Sequence, residues 1–112
     1  MLAGIGCDIV SIKRIQQAME KEGFLRILSE EERHIFDQLS DSRKVEWLAG
    51  RFAAKEAVYK AVHQHCDCVL SQITITSDAS GAPTCHIEGL HVEVSISHER
   101  EYAIAYAMAI KE

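Results

Sequence analysis

The stretch 47–62, WLAGRFAAKEAVYKAV, constrains the fold most, because it predicts a long helix with one unusually smooth side. It contains no proline and a single glycine, and alanine and straight-chain residues favour the helical state. Much of its surface is alanine, at Ala49, Ala53, Ala54, Ala57 and Ala61. A sheet or another backbone could therefore approach this helix closely.

The charges on this helix have two interpretations. Glu56 and Lys60 lie one turn apart on one face, and Arg51 and Lys55 form a second, entirely cationic i,i+4 pair. Taken alone, Glu56–Lys60 is a common surface pair worth about 0.3–0.5 kcal/mol. A carboxylate among several cations on a tightly packed helix would also suit the wall of a metal–phosphate site. Residues elsewhere in the sequence are needed to distinguish these two interpretations.

Size and charge exclude several classes of protein. With 112 residues, the chain is expected to form a single domain, 1–112. Its net charge of -5 argues against a general nucleic-acid binder. Asp8 and Lys13 interrupt the first apolar run, so no secretion leader is predicted. No segment approaches the ~20 apolar residues of a membrane span. We expect a soluble, cytoplasmic protein with neither a membrane nor a nucleic acid as partner.

The four cysteines are Cys7, Cys66, Cys68 and Cys85, and without a secretion signal they are expected to be thiols. The segment 63–68, HQHCDC, invites a zinc interpretation. However, its Cys-x-Cys spacing is unusual for zinc and no second matched pair follows. A helix end running into a turn is the better explanation.

Residues 1–10, MLAGIGCDIV, predict a first strand in which Gly4 and Gly6 would let another backbone come close. Asp8 is the anomaly in this strand, because a buried acid without a partner is costly. It must cap a helix, meet a cation or bind a metal, and the local sequence leaves these three explanations open.

Serines mark the predicted starts of the helices. Ser11 can cap a first helix over 12–22, with Gly23 as its C-cap. Ser29 opens a capping box for a second helix that runs to about residue 39.

Residues 40–42, SDS, are expected to end the second helix and cap the long one. The first turn of the long helix carries Arg43 and Lys44, which oppose the helix dipole. Cations at that end are odd unless an anion is bound there.

From residue 70 the apolar pattern has a period of two, which predicts antiparallel strands over 71–77, 84–88, 91–97 and 102–110. The last strand has alanines on one face and bulky residues on the other, at Tyr102, Ile104, Tyr106, Met108 and Ile110. Both faces should be covered, one of them by the long helix. The predicted fold class is α+β, with N-terminal helices, including one long helix, packed on an antiparallel sheet.

Three separated segments resemble one known family. They are GIGCDIV at 4–10, GRFAAKEAVYKA at 50–61 and SISH at 95–98. Together they resemble the holo-acyl-carrier-protein synthases, the short-type 4′-phosphopantetheinyl transferases, over nearly the whole chain. The turn at 81–83 also looks like the family's Gly-x-Pro loop, although Ser80 and Ala82 differ from the residues often found there.

The resemblance implies transfer of the phosphopantetheine arm of coenzyme A to a serine hydroxyl of an apo acyl carrier protein. It implies that Asp8 and Glu56 hold Mg²⁺, a cation that prefers oxygen ligands and keeps substrate phosphates and water. Glu56 is also a candidate to deprotonate the serine, directly or through a metal-bound water. Lys60 would act with the metal on the phosphates.

The resemblance further implies a set of coenzyme A contacts, namely Arg43, Arg51, Lys60, Gly81, Pro83, Ser97 and His98. Taken alone, His98 could equally be a water-exposed histidine in a hairpin turn. Family members of this size are similar in being homotrimers with active sites between subunits, so a homotrimer is expected.

Acyl carrier proteins are acidic, so docking on a chain of net charge -5 requires a local basic patch. The outward face of the first helix offers Lys13, Arg14 and Lys21, of which Arg14, followed by Ile15, is itself part of the match to the family. Two rival functions are a coenzyme A-binding module without chemistry and a different Mg²⁺-dependent phosphotransferase. The second is disfavoured because the chain has no G-x-x-x-x-G-K-[ST] phosphate loop.

Overall fold

The structure is a computed structural model that describes residues 1–112. Its elements follow in the order β1 (Leu2–Ser11), α1 (Ile12–Ala18), a 3₁₀ helix (Glu22–Ile27), α2 (Glu30–Gln38), α3 (Asp41–Val62), a 3₁₀ turn (Leu70–Gln72), β2 (Ile75–Ser77), β3 (Pro83–Ile87), β4 (Leu90–His98) and β5 (Tyr102–Lys111). The strands form one antiparallel sheet in the order β1–β5–β4–β3–β2. The predicted α+β class, with one long helix on an antiparallel sheet, is confirmed. No helix is both long and apolar enough to cross a membrane.

The long helix α3 lies on the sheet through its alanines. Ala53 and Ala57 are fully buried and belong to the same core cluster as Ala105 and Ala107 of β5. Small side chains on both surfaces let the helix lie close to the strands, as the alanine pattern predicts.

The closest approach is between α3 and β1. A Cβ atom on Gly6 would lie 1.9 Å from the carbonyl oxygen of Ala57, and one on Gly4 would lie 2.0 Å from that of Ala61. No side chain fits in these gaps, so glycine is required at both positions. The prediction that another backbone comes close to Gly4 and Gly6 is confirmed.

The predicted helix starts are also confirmed. Ser11 accepts a hydrogen bond from the backbone N–H of Arg14, and Ser29 forms a full capping box with Glu32. Ser40 occupies the N-cap position of α3, but its hydroxyl pairs with that of Ser42 rather than with the helix backbone. The helix α3 ends at Val62 and runs into a turn, as expected of the HQHCDC segment.

The prediction for the first helix was wrong about its end. α1 stops at Ala18 and is capped by Met19, and Gly23 lies inside the following 3₁₀ helix rather than at a C-cap. The chain turns early because Phe24 and Leu25 pack against the smaller core cluster around Ile15 and Phe36. This tertiary packing outweighs the helical propensity of residues 19–22.

The strand predicted over 71–77 is shorter than expected. Only Ile75–Ser77 is extended, and Leu70–Gln72 forms a 3₁₀ turn. Side chains take the backbone groups that a longer strand would use, since Lys55 donates to the carbonyl oxygen of Ile73 and Glu32 accepts from the N–H of Ile75.

Only one face of the final strand is covered within the chain. Its alanines are buried beneath α3, whereas the bulky face is open. The exposed apolar residues of β1 and β5 share this outer face, at Leu2, Ile5, Ile9, Tyr102, Ile104 and Tyr106. The prediction that both faces of this strand are covered is therefore met within the chain only for the alanine face.

Candidate functional site

Asp8 faces the long helix because strand alternation puts it on the same side as Gly4 and Gly6. The Nζ atom of Lys60 donates to the Cys7 carbonyl oxygen at 2.9 Å and to Oδ1 of Asp8 at 3.3 Å. Asp8 is 18% exposed and Lys60 50% exposed. Of the three explanations for an acid in this strand, the structure shows a cationic partner, and it leaves the metal explanation open.

Glu56 belongs to the same electrostatic cluster. Its pKa is raised above the ordinary value, first by partial burial and then by the negative charge of Asp8, while Lys60 acts in the opposite direction. Glu56 therefore experiences the charge of Asp8, although the two residues are 48 positions apart along the chain by their numbering.

The chemistry of this donor set fits Mg²⁺. Two carboxylates supply oxygen ligands, and no group of three or more His, Cys, Asp or Glu side chains converges to form a complete protein cage. Mg²⁺ is usually bound in this way, through one or two carboxylates together with water and substrate phosphates. Asp8 and Glu56 are the residues that could hold it.

A second region of α3 borders a cleft of about 370 Å³. The residues that line it come from the first half of α3, the end of β2, the β2–β3 loop, the start of β3 and the strand β4. They are Arg43, Glu46, Trp47, Gly50, Arg51, Ser77, Gly81, Pro83, Ile96 and His98. Of the residues predicted to contact coenzyme A, the structure brings together Arg43, Arg51, Gly81, Pro83 and His98 here. The cleft has a cationic wall.

Lys60 and Ser97 lie outside this cleft. Lys60 is nine residues beyond Arg51, roughly 13 Å along the helix, and sits with Asp8. Ser97 is on the outer face of β4, opposite Ile104, in a shallow hollow shared with Ile9 and Tyr102. The predicted contacts are thus divided between the cleft, the acidic pair and the open face of the sheet.

Two side-chain contacts hold Arg51 at the cleft. Its guanidinium lies 4.9 Å from the Trp47 ring centre, and one terminal nitrogen donates to the Ser77 hydroxyl at 3.4 Å. Its Nε atom is buried without a hydrogen-bond partner. Burial lowers the pKa of Arg51 and the charge of Glu32 raises it, but a guanidinium in a protein stays charged. An anion in the cleft would gain from this desolvated cation.

The loop over residues 78–83 is organised by Asp78. Its Oδ1 accepts hydrogen bonds from the hydroxyl and N–H of Ser80 and from the N–H of Ala82, and these bonds lower its pKa. Gly81 adopts φ +90°, which favours glycine. The Ser80 hydroxyl is thus occupied within the loop. The sequence signal for Asp78 was its place at the start of a turn, where aspartate commonly bonds the backbone two residues on.

His98 ends β4 at the rim of the cleft. Its Nε2 atom is 3.4 Å from Oε1 of Glu46, and both side chains are about half exposed. His98 was predicted to be either a contact for coenzyme A or a water-exposed histidine of a hairpin turn. In the structure it ends a hairpin strand in contact with water, and it also lines the cleft.

Known proteins match this chain over almost its full length. Residues 4–107 match the profile of the 4′-phosphopantetheinyl transferase superfamily. The chain belongs to this superfamily. The predicted resemblance to the holo-acyl-carrier-protein synthases is therefore confirmed.

Individual members of the superfamily are similar to this chain in sequence and in structure. The holo-[acyl-carrier-protein] synthase of Geobacillus sp. (strain WCH70) is 52% identical, with 94% of this chain and 93% of that protein covered. The crystal structure of a holo-(acyl-carrier-protein) synthase from Bacillus anthracis in complex with CoA (3′,5′-ADP) is similar at a TM-score of 0.90 and 36% identity, over 100% of this chain and 99% of that one. The synthase structure from Neisseria meningitidis has a TM-score of 0.85 and 37% identity, over 99% of this chain and 100% of that one.

The basic residues predicted for docking lie outside the cleft of this superfamily member. Lys13 and Arg14 are exposed on the outward face of α1, and Lys21 is exposed just beyond it. Arg100 of the β4–β5 turn borders the same small hollow as Lys13. The structure thus adds a cation that the sequence analysis did not place there.

Sequence reasoning missed one pair of residues in this superfamily member. Lys55 and Glu32 are fully buried and form an ion pair, so Lys55 does not line the cleft with Arg51, its cationic neighbour one turn away. The sequence signal was indirect, since Glu32 is the N3 residue of a capping box and Lys55 is flanked by buried alanines. All four cysteines are free, which confirms the prediction of thiols.

Proposed function

We propose that this protein transfers the 4′-phosphopantetheine arm of coenzyme A to a serine hydroxyl of an apo acyl carrier protein and so supports fatty acid biosynthesis. The observation that carries the proposal is one helix with a cationic cleft at one end and an acidic pair, Glu56 and Asp8, farther along. The 52% identity with a protein named as a holo-acyl-carrier-protein synthase supports it.

The chemistry requires little covalent participation by the protein. The serine oxygen forms a bond to the phosphorus of the arm, the bond to adenosine 3′,5′-bisphosphate breaks, and the serine proton leaves. Positioning and neutralisation of charge are the main needs of such a transfer. Arg43, Arg51 and His98 would hold the phosphates of the nucleotide, and Gly81 and Pro83 would shape the opposite wall.

Asp8 and Glu56 would hold Mg²⁺, with Lys60 beside them. When bound, Mg²⁺ neutralises charge on the phosphates and orients them. Lys60 donates to Asp8 and so holds that carboxylate in place. Glu56 is our candidate to accept the serine proton, either directly or through a water molecule.

Mixing the protein with apo carrier protein, coenzyme A and Mg²⁺ tests the proposal. We expect the mass of the carrier to increase by one phosphopantetheine arm, and a carrier with its acceptor serine changed to alanine is the matched control. Chelation of the metal should stop the reaction. Coenzyme A binding without any mass gain would instead favour a binding module.

We propose that the open face of the sheet forms a homotrimer interface. Ile9, Tyr102 and Ile104 are exposed there, and a large apolar patch is typical of a protein–protein contact. Ser97 lies on this face, so a subunit boundary here would place it beside a neighbouring copy. This arrangement fits active sites shared between subunits.

Replacing Ile104 by glutamate should dissociate the trimer, because burying an unpaired charge costs several kcal/mol. Light scattering after size exclusion would measure the mass, and activity is expected to fall with it. The control is Val69→Glu, which places the same charge on an exposed apolar residue outside the sheet, just before the 3₁₀ turn Leu70–Gln72. A wild-type protein that elutes as a monomer would contradict the interface.

We propose that acidic carrier proteins dock on Lys13, Arg14 and Lys21. Arg14→Glu is expected to raise the KM for the carrier roughly tenfold, because the loss of a close charge pair at an interface typically weakens binding by about this much or more. The affinity for coenzyme A should change less than about twofold, since α1 does not line the cleft. Arg33→Glu on α2 reverses the same charge elsewhere and is the control. Equal losses for both substrates would contradict this docking surface.

We also propose that residues 1–112 act as one catalytic domain in the cytoplasm. The four free thiols fit a reducing compartment. Fractionation of cells that express the protein with an epitope tag would test the location.

A further inference from the structure

A buried ion pair connects the two walls of the cleft. Lys55 lies one turn beyond Arg51 on α3, and its Nζ atom donates to Oε1 of Glu32 and to the Ile73 carbonyl oxygen. Both side chains of the pair are 0% exposed. They are the only buried charged residues in the protein.

Glu32 extends this connection to β2. Its Oε2 atom accepts from the N–H of Ile75, the first residue of β2, at 2.8 Å, and its Oε1 atom accepts from the N–H of Ser29 at 2.9 Å. Ser77, the last residue of β2, accepts from Arg51 at 3.4 Å. One turn of α3, the Lys55–Glu32 pair and the strand β2 thus join in a closed loop that begins and ends at Arg51.

A contribution to the free energy of unfolding is by itself a weak explanation for the buried Lys55–Glu32 pair. The desolvation of two charges offsets most of their attraction, and well-packed apolar side chains of similar volume often stabilise a protein equally well. Apolar contacts, however, do not fix direction. The directional bonds of Lys55 to Glu32 and of Glu32 to Ile75 fix the separation of α3 and β2, the two elements that carry Arg51 and Ser77.

Arg51 depends on that separation because few contacts hold its head group. Its Nε has no partner, its one hydrogen bond is long, and its remaining restraint is the Trp47 ring. A shift of β2 relative to α3 would therefore redirect the guanidinium.

We propose that Glu32 and Lys55 are positioning residues that hold the Arg51 guanidinium toward the anion site of the cleft. This proposal rests on the proposed function, in which Arg51 binds a phosphate of coenzyme A. Neither residue of the pair touches the substrate.

Binding of adenosine 3′,5′-bisphosphate, measured by titration calorimetry, tests the proposal. Lys55→Met and Glu32→Gln, which nearly preserve side-chain volume, are each expected to weaken binding about tenfold, because small misplacements of a binding group have effects of this size or larger. Arg33→Met removes a cation from an exposed ion pair on α2 and should leave affinity unchanged. Affinities of Lys55→Met and Glu32→Gln within twofold of wild type would overturn the proposal.

A double-mutant cycle separates positioning from a purely structural role. If Lys55 acts through Arg51, Lys55→Met should weaken binding in the wild-type protein but have no further effect in an Arg51→Ala background. The same fold-loss in both backgrounds would show that Lys55 does not act through Arg51. A wild-type protein that does not bind the nucleotide would reject the proposed function and this proposal together, whereas loss of coupling alone rejects only the positioning role.

Folding of the variants is controlled separately. The double variant Glu32→Gln/Lys55→Met leaves no unpaired buried charge. Circular dichroism measures the folded fraction of each variant, and the affinity is calculated for that fraction. We expect this variant to be more stable than either single variant and still to bind weakly. If all three variants were unfolded at low temperature with saturating nucleotide, a role confined to folding would replace the positioning role.

Discussion

Replacing either Asp8 or Glu56 by alanine is expected to lower turnover by at least about a hundredfold, because even residues that only support metal ligands commonly affect activity by 10–100-fold. The two acids lie on packed elements, β1 and α3, and the charge of Asp8 contributes to raising the pKa of Glu56. Removing one would leave the magnesium ion that we propose with a single carboxylate from the protein. Calorimetric titration of Mg²⁺ in the presence of coenzyme A should show the same loss.

The control for this prediction is Asp37→Ala, which removes one negative charge from an exposed ion pair on α2. All three variants should have circular dichroism spectra like that of the wild type, since neither site acid is part of the buried core. If Asp8→Ala or Glu56→Ala kept full turnover and full metal affinity, that residue would not be a ligand.

Gly6→Ala is expected to reduce stability by about 3 kcal/mol or more, at the upper end of the usual cost of overpacking a core. The added Cβ would lie 1.9 Å from the Ala57 carbonyl oxygen, and a backbone oxygen cannot rotate away as a side chain could. For a domain of this size, the melting temperature should fall by roughly 10 °C or more. Differential scanning calorimetry would measure both quantities.

The same substitution should also reduce activity in the protein that remains folded. Relief of the clash requires α3 to move away from β1, which would separate Glu56 and Lys60 from Asp8. Gly23→Ala is the matched control, because a Cβ at that position meets no atom within 4 Å. We expect it to change stability by less than about 0.5 kcal/mol, as for most surface substitutions. Similar effects for the two substitutions would refute the close-contact explanation.

Local patterns predicted the elements whose environment is regular along the chain. The alanine spacing of α3 and the period of two in β5 both matched the structure, because each element rests one continuous face on the other. The capping box at Ser29 was also predictable, since its bonds join residues only three apart. Within the candidate site, the cleft residues Arg43, Arg51 and His98 were found from the family resemblance.

The ends of other helices and strands depended on contacts with residues that are distant in the sequence. The strand predicted over 71–77 lost its first half because Lys55 and Glu32 bind the backbone of Ile73 and Ile75. The first helix ended early because Phe24 packs into the smaller core. The secondary-structure propensities of neighbouring residues contain no information about either interaction. Neither could therefore be predicted from a short segment of the sequence.

The order of small, apolar and charged residues along the chain was enough to specify an α+β fold and a long helix that carries several charged side chains. Tertiary structure alone decided which of those charges border the cleft. Arg51 and Lys55 are one turn apart and look alike in the sequence, yet Arg51 borders the cleft and Lys55 is buried against Glu32. The physical reason is that the environment of a charge depends on the elements packed over it, and α2 and β2 cover Lys55 from positions far along the chain.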